Sequence, residues 1–286
     1  MSAPDVRVSG EWMALREPAD AAARASDLVE RVEPPSGGRW VIHDLGGGTG
    51  SMGRWLAPRL AGRQHWVVHD RDADLLEIVG DVPFGPAADG AAVTVEPRRS
   101  DLTRLGVDDL AGASLITASA LLDMLTADEL ARLVAVSAGA GCPVLLTLSV
   151  VGRVSLVPDD PLDVPVAAAF NDHQRRATER GRLLGPDAVA FAVSEFGRLG
   201  REVLVRESPW RLGASEADLA AEWFTGWVDA ACEQASELAG DVGPYARRRM
   251  EQLGAGQLTV VVEHADLLVP ACRTPETTRG ASGGGK

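Results

Sequence analysis

The chain has 286 residues, 45% of them hydrophobic, with 28 basic and 41 acidic residues and a net charge of −13. This size and apolar content predict one large globular domain. The negative charge argues against a nucleic-acid partner, because phosphate binding depends on arginine and lysine side chains. The single lysine is Lys286, which excludes the internal amine required by pyridoxal-phosphate enzymes and by GxxxxGK phosphate loops.

No stretch approaches the roughly 20 apolar residues that cross a bilayer, and the first residues lack the apolar core of a signal peptide. We therefore expect a cytoplasmic protein with no membrane partner. The cysteines Cys142, Cys232 and Cys272 are far apart and form no CxxC pair. Neither a metal site nor an iron–sulfur cluster is expected.

Short apolar segments alternate with helical patterns, which is typical of βαβ units and a parallel sheet. An amphipathic N-terminal segment, about residues 8–34, comes first; a lid over a bound ligand and an ordinary packing helix are both open for it. The predicted strands are residues 40–45, 65–70, 93–96, 114–119, 143–150, 201–207 and 257–269. The predicted helices between the first five strands are residues 51–62, 72–80 and 126–141. The last of these begins with Thr126 as a candidate N-cap and Glu129 three residues on.

The pattern is less regular from Gly152 to Arg182, and we interpret this stretch as a long active-site loop. A helix is predicted at residues 183–200 and a helical insertion at about residues 215–253, before the last strand. Residues 273–286 are polar and Gly-rich, which predicts a disordered tail. The expected fold class is α/β: one domain, residues 1–272, around a seven-stranded, mostly parallel, doubly wound sheet.

The strongest motif follows the first strand, where the sequence is DLGGGTGSMG. Gly48, Gly50 and Gly53 satisfy the GxGxxG pattern, in which a helix N-terminus binds the pyrophosphate of a dinucleotide. The other frame, Asp44-x-Gly46-x-Gly48-x-Gly50, places a carboxylate at the mouth of the loop. A carboxylate attracts a cationic ligand and repels a pyrophosphate. This frame therefore favours a cofactor that carries positive charge.

The second frame resembles the first motif of the class I S-adenosylmethionine-dependent methyltransferases of the small-molecule type, which have a Rossmann-like fold. The resemblance implies S-adenosyl-L-methionine as cofactor and S-adenosyl-L-homocysteine as product. It also implies that Gly46, Gly48 and Gly50 let the backbone pass close to the cofactor, while Asp44 orients the positively charged amino-acid part of the cofactor. The likeness covers the first half of the chain and is less clear after about Val150.

Acidic residues after the next two strands extend the resemblance. Asp70 follows the loop by about 20 residues, the spacing expected of a ribose ligand. Asp72 is the alternative, and helix capping is a competing role for both. After the third strand, Asp101 and Leu102 match the segment that contacts adenine in the family.

The segment after the fourth strand supplies further candidates. By the resemblance, Ser119 and Ala120 line the cofactor near the transferred methyl group. Asp123 and His173 are the catalytic candidates, because both follow strands at the side of the sheet where ligands bind. Packing or capping for Asp123 and a surface position for His173 stay open as alternatives. Arg16 of the N-terminal segment is expected to reach the cofactor as part of the lid.

Three histidines, His43, His69 and His264, lie inside apolar strands and are interpreted as core residues. In the insertion, Trp223 and Trp227 are four residues apart and therefore share a helical face. Core packing and a substrate wall are both compatible with such a pair. The arginine triplet 247–249 is interpreted as a solvated helix face.

We thus predict a methyltransferase of a small-molecule acceptor, a monomer or homodimer, with carbon, oxygen and nitrogen acceptors all open. A nicotinamide-dependent oxidoreductase is the first alternative and rests on the 48–53 glycine frame. It lacks the YxxxK pair of short-chain dehydrogenases, since the only tyrosine is Tyr245. A non-catalytic partner protein of the same fold is the second alternative.

Overall fold

An eight-stranded sheet forms the centre of residues 9–271, the part of the chain that the computed structural model describes. Its strands are β1 (Arg39–Leu45), β2 (Arg63–Asp70), β3 (Val93–Arg99), β4 (Leu115–Ser119), β5 (Val144–Val157), β8 (Leu204–Glu207), β9 (Trp210–Leu212) and β10 (Thr259–Val269). The order is β3-β2-β1-β4-β5-β10-β8, with β9 paired to β10. Strands β1 to β5 are parallel, and β10 runs antiparallel to its neighbours. The predicted mostly parallel α/β sheet is confirmed.

Helices cover both faces of this sheet. They are α1 (Gly10–Ala23), α2 (Ser26–Val29), α3 (Ser51–Leu56), α4 (Ala73–Asp81), α5 (Ala127–Gly139), α6 (Asp163–Gln174), α7 (Ala188–Arg198), α8 (Ala217–Gln234) and α9 (Ala239–Gly254). Successive strand residues point to opposite faces, so Leu115 packs with α2, α3 and α4 while Ile116 packs with α5 and α7. No helix within residues 9–271 combines the length and apolar character needed to cross a membrane.

A third apolar core lies at one end of the sheet. Helices α6, α8 and α9 pack there against β9 and the outer halves of β5 and β10. Helices α8 and α9 occupy the stretch predicted as an insertion, and Trp227 and Phe224 of α8 are buried in this core. The predicted tail, residues 273–286, lies outside the described residues.

The prediction of a long loop from Gly152 to Arg182 is wrong. Strand β5 continues to Val157, because Val154 and Leu156 pair with β10 and face the third core. Helix α6 and a short hairpin of β6 (Ala177–Thr178) and β7 (Gly181–Arg182) follow. This stretch therefore gives the cavity described below a helical wall.

Helix α5 begins with the predicted capping box. Thr126 Oγ1 accepts a hydrogen bond from the Glu129 N–H (3.3 Å), and Glu129 Oε2 accepts one from the Thr126 N–H (2.9 Å). We expect Thr126→Ala to lower the free energy of unfolding by about 1 kcal/mol, measured by urea denaturation. The control is Thr225→Ala, at an exposed position inside α8, where alanine favours the helix. Equal losses in both variants would contradict the capping role.

Candidate functional site

A cavity of about 810 Å³ opens at the carboxyl ends of the parallel strands. The strand order reverses between β1 and β4, and in such sheets ligands bind in the crevice at that switch point. One half of the cavity lies beside β1, β2 and β3. The other half lies beyond β4, under α1 and against α6, α8 and β10.

The glycine loop between β1 and α3 borders the first half. Gly46 and Gly48 line the cavity with φ angles of +68° and +54°. The N–H groups of Gly46 and Gly47 donate to the His69 carbonyl, at 2.8 and 3.1 Å, which ties the loop to β2. Gly50 lies behind the loop instead, where it precedes α3 with φ +85°. The structure thus brings two of the three predicted loop glycines to the cavity.

Asp44 ends β1 beside this loop and is fully buried, although it borders the cavity. Its Oδ1 accepts a hydrogen bond from Thr117 Oγ1 at 2.7 Å, whereas its Oδ2 has no partner among the described residues. Burial raises the pKa of Asp44 to about 6, against the opposing effects of Thr117 and of the nearby Arg24 charge. An unpartnered buried carboxylate oxygen is costly, so this atom is suited to a cationic or N–H ligand.

Asp70 and Asp101 line the same half of the cavity. Asp70 accepts from the Gly48 N–H through Oδ2 and from the Asp72 N–H through Oδ1, both at 2.9 Å. Asp72 itself caps α4, which assigns the capping role to it. Asp101 accepts from the backbone N–H and the hydroxyl of Thr103, and the hydroxyl bond is the main cause of its lowered pKa. Leu102 lies beside it on the cavity wall.

Ser119 and Ala120 form the wall at the end of β4. Ala120 has a φ of +50°, and Ser119 Oγ accepts from Arg24 Nη2 and Thr147 Oγ1, both at 3.1 Å. Arg24 is only 4% exposed, and burial lowers its pKa. It also donates to Ser51 Oγ at 3.2 Å, so it connects the end of α1 to α3 and β4. No local sequence pattern indicates this role of Arg24.

Helix α1 covers the cavity through Trp12, Met13 and Arg16. The Arg16 guanidinium donates to Asp20 at 2.9 and 3.2 Å and lies 4.9 Å from the centre of the Trp210 ring. Trp210 Nε1 donates to the same carboxylate at 2.9 Å. Arg16 thus borders the cavity as predicted, but its charge is already paired.

The two catalytic candidates occupy different environments. Asp123, in the turn Leu122–Met124, lines the cavity, and burial raises its pKa to about 6. His173 does not line it: its Nδ1 lies 3.7 Å from Glu233 Oε2 of α8. Because the predicted loop is helix α6, the cavity receives Phe170, Asn171 and Gln174 while His173 faces α8. The structure does not bring His173 to the site.

His264 is a cavity residue that sequence reasoning missed. The interpretation as a core residue holds for His43 and His69, whose rings stack 5.1 Å apart in the interior. His264 instead lines the cavity from β10 and is 4% exposed. Burial, followed by the charge of Arg16, lowers its pKa to about 3. A local pattern cannot predict this position, because the pairing of β10 shifts register beside His264.

No protein-family model matches the sequence, and no curated protein matches it significantly. Among solved structures, a cyclopropane-fatty-acyl-phospholipid synthase-like protein from Lactobacillus casei is similar at a TM-score of 0.50 and 15% identity, over 92% of this chain and 94% of that chain. A SAM-dependent methyltransferase from Methanosarcina mazei is similar at a TM-score of 0.48 and 9% identity, over 87% of this chain and 98% of that chain. A SAM-dependent methyltransferase from Thiobacillus denitrificans, in complex with S-adenosyl-L-homocysteine, is similar at a TM-score of 0.42 and 14% identity, over 94% of this chain and 95% of that chain. At these identities the likeness is one of fold.

Proposed function

We propose that this chain, which has the Rossmann-like fold of the class I S-adenosylmethionine-dependent methyltransferases, binds S-adenosyl-L-methionine and transfers a methyl group to a small molecule. One observation carries the proposal: Asp44, Gly48, Asp70 and Asp101 border a single cavity at the switch point of the sheet. Carboxylates in this position suit a ligand with an ammonium and a sulfonium and no phosphate. They disfavour the pyrophosphate of a nicotinamide dinucleotide.

The residues present fit this cofactor. The free Oδ2 of Asp44 is available to its ammonium, and the bare backbone at Gly46 and Gly48 permits close approach. We assign Asp70 to the ribose hydroxyls and the wall of Asp101 and Leu102 to the adenine. Ser119 and Ala120 then border the reacting end. Bound there, the cofactor supplies an electrophilic methyl group.

The chain's own part in the reaction is orientation, exclusion of water and removal of a proton. Methyl transfer is an in-line displacement, so holding the acceptor on the line supplies much of the catalysis. Helix α1 closes the cavity over Gly48 through Met13. Asp123 is the proposed base for an acceptor that must lose a proton. Its pKa of about 6 leaves it mostly ionised at neutral pH and still a usable proton acceptor.

Calorimetric titration tests the cofactor assignment. We expect S-adenosyl-L-homocysteine to bind in the micromolar range and Asp70→Ala to weaken it by about tenfold or more. The matched control is Asp89→Ala, since Asp89 also accepts two backbone N–H bonds but lies on an exposed turn away from the cavity. Binding of NADH alone would establish the oxidoreductase alternative. Binding of neither ligand would favour a non-catalytic partner protein.

The affinity for S-adenosyl-L-homocysteine is expected to rise by about tenfold between pH 5 and pH 7. With a pKa of about 6, Asp44 is mostly protonated in the free protein at pH 5 and mostly ionised at pH 7. Binding of an ammonium favours the ionised form, so the proton is released on binding at the lower pH. Asp44→Asn is expected to flatten the profile measured by calorimetry. Asp123→Asn, which removes the other cavity acid of similar pKa, is expected to leave it unchanged.

A further inference from the structure

The half of the cavity beyond β4 is lined by aromatic rings, and we term it the acceptor compartment. Its aromatic wall consists of Trp12, Phe170, Trp210 and Trp223, which come from α1, α6, β9 and α8. We term the half beside β1, β2 and β3 the cofactor half. Within the described residues, it has no aromatic side chain in its lining. The two halves are therefore built for chemically different ligands.

Two members of the aromatic wall pack against buried tryptophan rings. Trp223 stacks on the buried Trp227 with ring centres 5.3 Å apart and planes 20° from parallel. Trp12 meets the buried Trp210 edge to face at 6.5 Å. Trp12 and Trp223 are themselves only partly buried. Preorganised indole surfaces of this kind favour a flat π system over a saturated body of the same size.

Two buried polar atoms of this compartment have no hydrogen-bond partner among the described residues. His264 is 4% exposed with its ring centre 5.3 Å from that of Trp210, and its Nδ1 has no hydrogen-bond partner within residues 9–271. Because its pKa is lowered to about 3, the imidazole is neutral and keeps one nitrogen as an acceptor. Gln174 Oε1 is likewise buried and unpartnered in the same part of the chain. Gln174 Oε1 calls for a ligand with an O–H or N–H donor, and the His264 ring can accept from such a ligand through its unprotonated nitrogen.

The charges around the compartment disfavour an anionic ligand. Arg16 is bonded to Asp20, and Arg180 donates to Glu129 Oε1 at 2.9 Å. Asp123 adds a carboxyl group to the wall. Arg153 lies at the exposed mouth of the cavity. A carboxylate or phosphate inside the compartment would thus face the acid Asp123, and the two arginines Arg16 and Arg180 are already paired with Asp20 and Glu129.

We propose that the methyl acceptor is a planar aromatic molecule that carries an O–H or N–H group and no negative charge, bound against Trp12 and Trp223 with its donor directed to His264. This proposal rests on the proposed methyltransferase function. For a hydroxyl acceptor, the oxygen forms the bond to the methyl carbon, the carbon–sulfur bond of the sulfonium breaks, and S-adenosyl-L-homocysteine leaves. As the bond to the methyl carbon forms, the hydroxyl proton turns from His264 to Asp123, which takes it up; both side chains line the cavity. His264 is a recognition residue in this scheme.

Three probes of matched size test the acceptor class by calorimetry on protein saturated with S-adenosyl-L-homocysteine. They are 2-naphthol, its saturated analogue 2-decalol and the anionic 2-naphthoate. We expect 2-naphthol to bind at least about tenfold more tightly than either of the others. Equal or tighter binding of 2-decalol or 2-naphthoate, or no binding of 2-naphthol, would overturn the proposal.

Variants separate recognition from folding. Trp223→Leu is expected to weaken the binding of 2-naphthol by about fivefold or more, and Trp223→Phe is expected to retain most of the wild-type affinity. His264→Phe keeps a flat ring without an acceptor nitrogen and is expected to weaken the binding of 2-naphthol by a similar factor. The control His173→Phe, which lies off the cavity, is expected to leave this affinity unchanged. Unchanged 2-naphthol affinity in both Trp223→Leu and His264→Phe overturns the acceptor assignment. Wild-type protein that fails to bind S-adenosyl-L-homocysteine overturns the proposed function instead.

Discussion

Replacement of Asp163 by alanine is expected to lower the free energy of unfolding by about 3–5 kcal/mol. Asp163 begins α6 and accepts hydrogen bonds from Arg249 Nη2, at 2.7 and 2.5 Å, and from the Tyr245 hydroxyl at 2.7 Å. Arg249 is 1% exposed and Tyr245 is fully buried. The variant leaves a buried guanidinium without its carboxylate, and an uncompensated buried charge is among the most costly defects in a folded protein.

Asp160→Ala is the matched control for this variant. Asp160 lies three residues earlier and bonds Arg248 Nη2 at 2.7 Å, but the Arg248 side chain is 51% exposed. Loss of this half-exposed pair, together with the bond from the Leu162 N–H to Asp160 Oδ1 (3.0 Å), is expected to cost only about 1–2 kcal/mol. Urea denaturation at neutral pH measures both variants. Similar losses in the two would contradict a special role for burial of the Arg249 pair.

The same cluster couples stability to the proposed acceptor compartment. Helix α6 carries Phe170 and Gln174 on the cavity wall, and the Asp163 cluster fixes the start of that helix to α9. Asp163→Ala is therefore expected to weaken the binding of 2-naphthol more than that of S-adenosyl-L-homocysteine, whose proposed ligands lie at the carboxyl ends of β1, β2, β3 and β4. A helix that positions acceptor-binding residues is thus anchored from outside the cavity.

Arg249 also shows where sequence reasoning fails. Interpretation of the triplet 247–249 as a solvated helix face is wrong for Arg249. Its carboxylate partner is 86 residues away along the chain, so no local pattern connects the two. Arg247 and Arg248 do retain exposure to solvent, which is why a single composition-based interpretation of the triplet was inadequate.

The acids that line the cofactor half of the cavity can be predicted from the sequence, because residues close to each of them in the chain decide its position. Asp44 and Asp70 lie at the carboxyl ends of β1 and β2, and Asp101 follows β3. Parallel strands in consecutive βα units end at the same edge of the sheet. Spacing within one unit is therefore enough to place each acid. Gly50 of the same motif does not line the cavity, because packing, and not spacing, decides which glycine faces it.

The acceptor half depends on contacts between distant segments. Trp210 lies on a three-residue strand too short to predict, and it bonds Asp20 across 190 residues. His264 has the apolar strand neighbours of a core residue, yet β10 places it at the cavity. His173 shows the converse: its position after β5 predicted a site residue, whereas α6 directs it toward Glu233 of α8. Tertiary packing decides each of these positions.

Gly53→Ala is expected to destabilise the protein by about 1–3 kcal/mol through overpacking. A Cβ at this position would overlap the ring of Phe84. That ring is 4% exposed and is held edge to face against Trp66, with centres 5.4 Å apart. It also covers Gly50, where an added Cβ would lie 2.7 Å from Phe84 Cε1. The ring therefore cannot move aside without losing these contacts.

Gly80→Ala, on the next helix, is expected to have the opposite effect on stability. A Cβ at Gly80 in α4 has no heavy atom within 4 Å, so alanine is expected to raise the free energy of unfolding by up to about 1 kcal/mol through helix propensity. Thermal and urea unfolding measure both variants, and a gain in Gly53→Ala would contradict the packing argument. Close helix–strand packing is also the role of the third glycine in GxGxxG loops. Gly53 then satisfies that pattern for reasons of packing, and its presence does not favour a dinucleotide over S-adenosyl-L-methionine.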